Sequence, residues 1–328
     1  MNSTFSTNAS EGLASGTESL SPKLLLGLII TDVIFGFIIT AGNASLFITI
    51  YRDPCHCLRS PSVFLIANLS VADFFMGVVS FMRAVELIYK YRGVPDLPIL
   101  NIMQYFIGAV SILAAVSTLM AMSYDRYVAI NKPFQYPQKI TMKRAKIANS
   151  VIWINALIMC VLPVSSVKKE NFLLTYCYSH FVIPSFVLTA IYVKIYKQIA
   201  LQRKELREVR ASLAAGSRRQ QLEREHRMVV AFILILFVFY CSFLPYFIFV
   251  QIIYFCPCRS SVAVSVYRLI ANEFLSVSST VDPFMYAWRL PKFNRSLRLC
   301  FQRLKGRNEV AVWNGTSAAL IHSRDPAQ

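Results

Sequence analysis

The chain has 328 residues, of which 55% are hydrophobic, 13% aromatic and 16% charged, with a formal net charge of +17. Soluble domains carry about 25% charged residues, so a water-facing globule of this size is excluded; the aromatic content excludes general disorder, and eight Cys over this length exclude a disulfide-stapled mini-protein. What remains is an all-α integral membrane protein, in which the positive charge reports sidedness.

Residues 1–23 are rich in Ser, Thr, Asn and Gly and read as an extracellular disordered tail. No short apolar core with a cleavage site precedes the first span, so no cleaved signal peptide is expected. Asn2 and Asn8 head N-glycosylation sequons; those at Asn43, Asn68, Asn294 and Asn314 fall inside spans or beyond the last one.

A bilayer core of about 30 Å takes about 20 apolar residues of helix. Seven stretches qualify: 24–51, 61–89, 99–130, 144–165, 179–203, 225–255 and 262–288. Residues 24–290 therefore predict a seven-transmembrane helix bundle. The runs are apolar all round, which excludes the alternating pattern of a membrane barrel. Most Lys and Arg follow spans one, three, five and seven, which puts the N-terminus outside and the C-terminus inside. Contact with membrane lipid accounts for those basic runs without nucleic acid. The fifth connection alternates charge (KELREVR, EREHR), so spans five and six are expected to continue into water as helices.

Residues 291–303 put Leu297 and Phe301 on one helical face with Phe293, and Arg295 and Arg298 elsewhere, which predicts an amphipathic eighth helix on the inner leaflet. Cys300 on it is a candidate for palmitoylation, with a free thiol as the alternative. Residues 304–328 form a cytoplasmic tail.

Ionisable groups inside a membrane are costly and mark function by default. Asp73 lies in Asn68-Leu-Ser-Val-Ala-Asp73 of span two, and Asp282 opens Asp282-Pro-Phe-Met-Tyr286 of span seven. Asn43, Ser111 and Ser279 are polar residues of spans one, three and seven. If these helices pack together, two carboxylates share one polar site, and either a proton or a cation sits between them. Hydrogen-bonding glue between helices is the alternative. At the inner end of span three stands Asp125-Arg126-Tyr127, and Glu225 opens span six at the same depth. An Arg126–Glu225 pair would clamp spans three and six in one arrangement and release them in another. Pro245 is expected to kink span six, with Phe239 and Phe243 beneath it on one face.

Seven spans carrying Gly42-Asn43, Asn68…Asp73, Asp125-Arg126-Tyr127, Trp153, Phe181-Val-Ile-Pro184 with Tyr192, Phe239…Phe243-Leu-Pro245 and Asp282-Pro283…Tyr286 resemble a class A (rhodopsin-like) G-protein-coupled receptor over residues 24–303. The resemblance implies a plasma-membrane receptor, not an enzyme. It would bind an extracellular ligand, and its sixth helix would swing outward to admit a heterotrimeric G protein. Arrestin and a receptor kinase are the further partners implied. Arg126 would contact the G protein, and Tyr192 and Tyr286 would stabilise the open state. Sodium at Asp73, held with Ser111, Ser279 and Asp282, would favour the inactive state.

The chain departs from the family pattern at several positions. The outer end of span three, 99–105, lacks the usual Cys, so Cys177 lacks its usual partner. Cys256 and Cys258 in the third outer loop are alternative partners, and a direct bond between those two would close a small strained ring. The missing Cys, the short second outer loop and Asp282 in place of Asn resemble the melanocortin, lipid, cannabinoid and adenosine branch. Phe243 stands where Trp is usual. Gly108 stands where amine receptors carry Asp, and Ser276 where opsins carry Lys, which disfavours a monoamine and excludes a retinal Schiff base. Phe247 and Val250 replace residues used for adenine.

The expected ligand pocket is Arg83, Glu86, Gln104, Tyr105, Gly108, Tyr246, Phe247, Gln251, Asn272 and Glu273, with Arg268 nearby. Its mixed charges suit a polar small molecule or a peptide. The alternative is that Arg83–Glu86 and Arg268–Glu273 neutralise one another. A competing class is a transporter or channel using Asp73 and Asp282 as a proton path, against which stands the lack of an internal repeat.

Overall fold

The structure, a computed structural model, describes residues 21–53, 56, 58–95, 97–161, 174–208, 213–289 and 291–304. Seven long helices form a bundle: α1 Pro22–Arg52, α2 Pro61–Tyr91, α3 Pro98–Asn131, α4 Met142–Val161, α5 Ile183–Glu208, α6 Leu213–Phe255 and α7 Val262–Arg289. A shorter α8, Pro291–Leu304, follows. Six of the seven are long and apolar enough to cross a membrane; α7, with Arg268, Glu273 and Asp282, is not among them.

The helix starts follow from local chemistry. Proline at the first position of α1, α2 and α3 lacks only an N–H that would be unpaired anyway. Ser60 caps α2 by accepting from the Val63 amide at 3.3 Å. At its inner end α1 stops at Asp53, whose φ of 37° is a left-handed conformation that Asp tolerates. The buried Asp53 carboxylate then accepts from the Leu58 amide at 3.1 Å and pairs with Arg59 at 3.7 Å, which folds the first inner loop back.

Helix α5 begins through a π-helical turn at Tyr178–Val182. Both α5 and α6 run on past their apolar stretches, as the alternating charge predicts.

Two glycines set the close approach of α1 and α2. A Cβ on Gly77 would lie 2.6 Å from Thr40 Cγ2 and 2.9 Å from its backbone nitrogen. One on Gly36 would lie 2.8 Å from the Phe81 ring. The α2–α3–α4 corner is held differently. Asn68 Nδ2 donates to Thr118 Oγ1, and Trp153 Nε1 donates to Asn68 Oδ1, both at 2.7 Å. One apolar core runs from α1, through Leu46, to α7, and its largest fully buried side chains include Tyr286 and Phe243.

Candidate functional site

Three polar layers lie along the bundle axis. At the inner end, Asp125 is bonded by its own neighbour Arg126, by Ser62 Oγ at 2.8 Å and by the Tyr136 hydroxyl at 3.0 Å. Arg126 Nη2 also donates to Ser62 Oγ at 2.6 Å. Helix α2, helix α3 and the second inner loop thus converge on one carboxylate, with Asp125 and Arg126 both buried. Ser62 and Tyr136 were not foreseen; nothing in a sequence says which hydroxyl faces a given carboxylate. Tyr127 sits half-buried beside them. The side chain of Glu225 lies outside the described residues, so the expected clamp to α6 remains a proposal. Asn2 and Asn8 also lie outside them.

Above this layer Ser123 Oγ donates to the Tyr192 hydroxyl at 3.2 Å, linking α3 to α5. Phe239, Phe243 and Phe181 form a continuous stack, with centroids 5.9 and 4.6 Å apart. Pro245 lies just above, and its carbonyl accepts from the Tyr267 hydroxyl of α7 at 3.0 Å.

In the middle layer Asp73 and Asp282 line one narrow internal cavity with Ser242, Ser278 and Ser279. Ser279 Oγ donates to Asp73 Oδ1 at 2.7 Å. Asn43 Nδ2 donates to the Ser279 carbonyl at 3.0 Å, drawing α1 into the site. Asp73 Oδ2 and Asp282 Oδ1 are buried without a hydrogen-bond partner. These two carboxylates lie within hydrogen-bonding reach of each other, so beside the hydroxyls they suit either a shared proton or a small hard cation. Ser111 is not brought to this cavity; its hydroxyl donates to the Ile107 carbonyl of its own helix.

The outer layer departs most from expectation. Arg83 does not pair with Glu86. It binds Asp32 of α1, through Nε at 2.9 Å and also through Nη2, and it reaches Glu273 Oε1 of α7 at 3.2 Å. Its Nη1 donates to the Asn272 carbonyl at 2.6 Å. Glu86 is taken instead by Lys90, one turn along α2. Asp32 escaped the sequence reading, although a single carboxylate inside an apolar run was signal enough.

Arg83, Glu86, Gln104, Tyr105, Arg268, Asn272 and Glu273 line one outer cavity together with Asp32. Four expected pocket residues are elsewhere. Gly108 faces Val79 at 3.8 Å. Tyr246 packs on Phe243 and Phe249, and Phe247 on Phe181 and Tyr178. Gln251 accepts from the Tyr178 hydroxyl at 3.2 Å. Phe247 and Gln251 thus meet the π-helical turn before α5, and Tyr246 packs along α6.

One further expectation, the disulfide, is corrected. Cys256 and Cys258 bond to each other across Cα atoms 5.2 Å apart, and Cys177 stays a free thiol. The reason is placement: Cys177 lies in the helical start of α5, fully buried in the core, away from the outer loop. Cys300 on α8 is a buried free thiol in this structure, the alternative to palmitoylation.

Comparison with known proteins fits this layout. The family described as 7 transmembrane receptor (rhodopsin family) matches residues 42–286. Melanocortin receptor 5 of Mus musculus is 23% identical over 249 residues, covering 74% of each chain. Adenosine receptor A2a of Canis lupus familiaris is 24% identical over 307 residues, covering 83% of this chain and 72% of that one. Lysophosphatidic acid receptor 1 of Mus musculus is 24% identical over 332 residues, covering 92% and 85%. The fold superposes on squid rhodopsin with a TM-score of 0.74 at 18% identity, over 94% of both chains.

Proposed function

Because this chain belongs to the rhodopsin family of seven-transmembrane receptors, a receptor class and not an enzyme class, we propose that it binds an extracellular polar ligand and activates a heterotrimeric G protein. Its N-terminus is extracellular and its C-terminus cytoplasmic, with arrestin and a receptor kinase as later partners. The observation that carries this reading is the inner layer. Asp125 holds Arg126 buried at the mouth where a G protein would insert, and the holding contacts are hydrogen bonds that reorganise when helices move. Ligand binding acts by population shift: it favours whichever arrangement it contacts better. Outward motion of α6 then uncovers Arg126, and Tyr192 and Tyr286 support the open form.

The middle layer fits sodium as an inhibitory ion. Asp73, Asp282 and Ser279 would hold it, with Ser278 and Ser242 in place of the expected Ser111. Its charge would satisfy the two orphaned carboxylate oxygens. Family membership disfavours a transporter built on the same carboxylates.

The test is nucleotide exchange. Glu225→Ala should raise ligand-independent exchange on added G protein, at unchanged surface expression. A basal rate equal to wild type would remove the clamp from this account.

A further inference from the structure

Arg268 is the one charged side chain of the outer cavity left without an ion pair among the described residues. Arg83 is taken by Asp32, by Glu273 and by the Asn272 carbonyl, and Glu86 is taken by Lys90. Asp32 and Glu273 also hydrogen-bond each other across the cavity, which takes one proton held between the two carboxyls. That pair therefore carries a single negative charge, and Arg83 cancels it. Lys90 cancels Glu86 in the same way. The half-buried Arg268 guanidinium adds one positive charge that no contact balances.

Gln104 supplies a second, independent observation. It lines the same cavity from α3, it is 7% exposed, and its Oε1 is buried without a hydrogen-bond partner. A buried acceptor left unpaired is unfavourable by about 1–3 kcal/mol, so a donor from outside the chain is favoured there. Leu87 and Leu269 complete the wall beside these two polar groups.

We propose that Arg268 and Gln104 recognise a small monocarboxylic acid that carries an N–H or O–H donor near its carboxylate. This deepens the receptor reading above and rests on it only for the statement that the bound molecule is a signal. A guanidinium presents parallel N–H bonds that match the two oxygens of a carboxylate, and one charge meets one charge. The ligand's own donor meets Gln104 Oε1, and the two leucines cover its hydrocarbon part. A phosphate brings a second negative charge, which the cavity does not match and which the Asp32–Glu273 pair repels. An ammonium brings positive charge to a cavity that already has it in excess.

The experiment uses the full-length protein in lipid nanodiscs and four probes on one frame: N-benzoylglycine, its methyl ester, N-benzoylsarcosine and (benzoylaminomethyl)phosphonate. The ester removes the charge, the sarcosine removes the N–H, and the phosphonate replaces the carboxylate. Thermal unfolding is followed against probe concentration for wild type, Arg268→Gln, Arg268→Lys and Gln104→Leu. N-benzoylglycine should raise the unfolding midpoint of wild type, at lower concentration than the sarcosine or the phosphonate, and the ester should leave it unchanged. In Arg268→Gln its half-effect concentration should rise at least about tenfold, and Arg268→Lys should recover part of that loss. In Gln104→Leu the glycine and sarcosine probes should become equal. The proposal fails if N-benzoylglycine does not stabilise wild type, if the ester or the phosphonate matches it, or if Arg268→Gln responds as wild type does. Equal action of glycine and sarcosine probes on wild type also overturns it. Arg268 has no ion pair to lose, and should Gln104→Leu not fold, the sarcosine comparison on wild type decides. Nucleotide exchange on added G protein is measured in parallel. Carboxylate binding without exchange overturns the coupling reading and leaves this site standing; exchange driven equally by acid and ester does the reverse.

Discussion

Gly77 illustrates how much one missing side chain sets. Helix α1 passes so close that Gly77→Ala would press a methyl onto the Thr40 backbone nitrogen, 2.9 Å away, which cannot rotate aside. Overpacking of this kind is unfavourable by about 1–3 kcal/mol, and a lower unfolding midpoint at unchanged helix content would report it. Asn68 is a second such point. Asn68→Leu would strand Trp153 Nε1, which has no other recorded partner, and weaken the junction by about 1–3 kcal/mol in the same assay. Tyr136 acts on function instead. Tyr136→Phe removes one donor from Asp125 and should raise basal nucleotide exchange. Burial, and then the Asp125 carboxylate, push the Tyr136 phenol above its usual value of 10.0. A raised value favours the neutral, donating form, so its contribution is complete below the ordinary phenol value and fades only as pH climbs through the raised one. The difference between wild type and Tyr136→Phe should therefore stay flat from about pH 6 to pH 8. Asp73, Asp282 and Arg126 could be found in the sequence because charges are rare in apolar runs. The partners Ser62, Tyr136 and Ser278 could not, because serines and tyrosines are common there and only the rotation of each helix decides which faces inward.

At the scale of helices, Pro61 marked a start to the residue, since proline at a first turn forfeits no hydrogen bond, whereas the third span was expected from 99 and its helix begins one residue earlier, at Pro98. The continuation of α5 and α6 into water could likewise be read from alternating charge. The pairing of Arg83 could not. Asp32 and Glu86 are both acidic, and choosing between them requires knowing how α1 is turned against α2. The α6–α7 contact is equally invisible, because the Pro245 carbonyl is a backbone atom with no sequence mark of its own. Tyr267 donates to that carbonyl, tying the two helices together in the arrangement seen here. Tyr267→Phe removes about 1 kcal/mol from that arrangement alone and should raise basal nucleotide exchange about fivefold, with unchanged expression. A basal rate at or below wild type would mean the bond serves the open form instead.

The whole molecule is predicted to toggle between a closed and an open inner end. Spin labels on α3 and α6 should show the inner distance lengthen when ligand and G protein are both present. Sodium should oppose that change and lower agonist affinity, and Asp73→Asn should abolish the sodium dependence; an affinity indifferent to sodium in wild type would remove the ion from the scheme. One property of the architecture reaches further back, to how the chain enters the bilayer. Because α7 carries Arg268, Glu273 and Asp282 within one helix, the translocation machinery is expected to retain it less readily than the more apolar helices. Its Glu273 meets an arginine synthesised 190 residues earlier, counting from Arg83 to Glu273, which also binds Asp32 of α1. The last segment is therefore expected to be recruited by helices already embedded, and Arg83→Ala should leave it more open to added protease than in wild type.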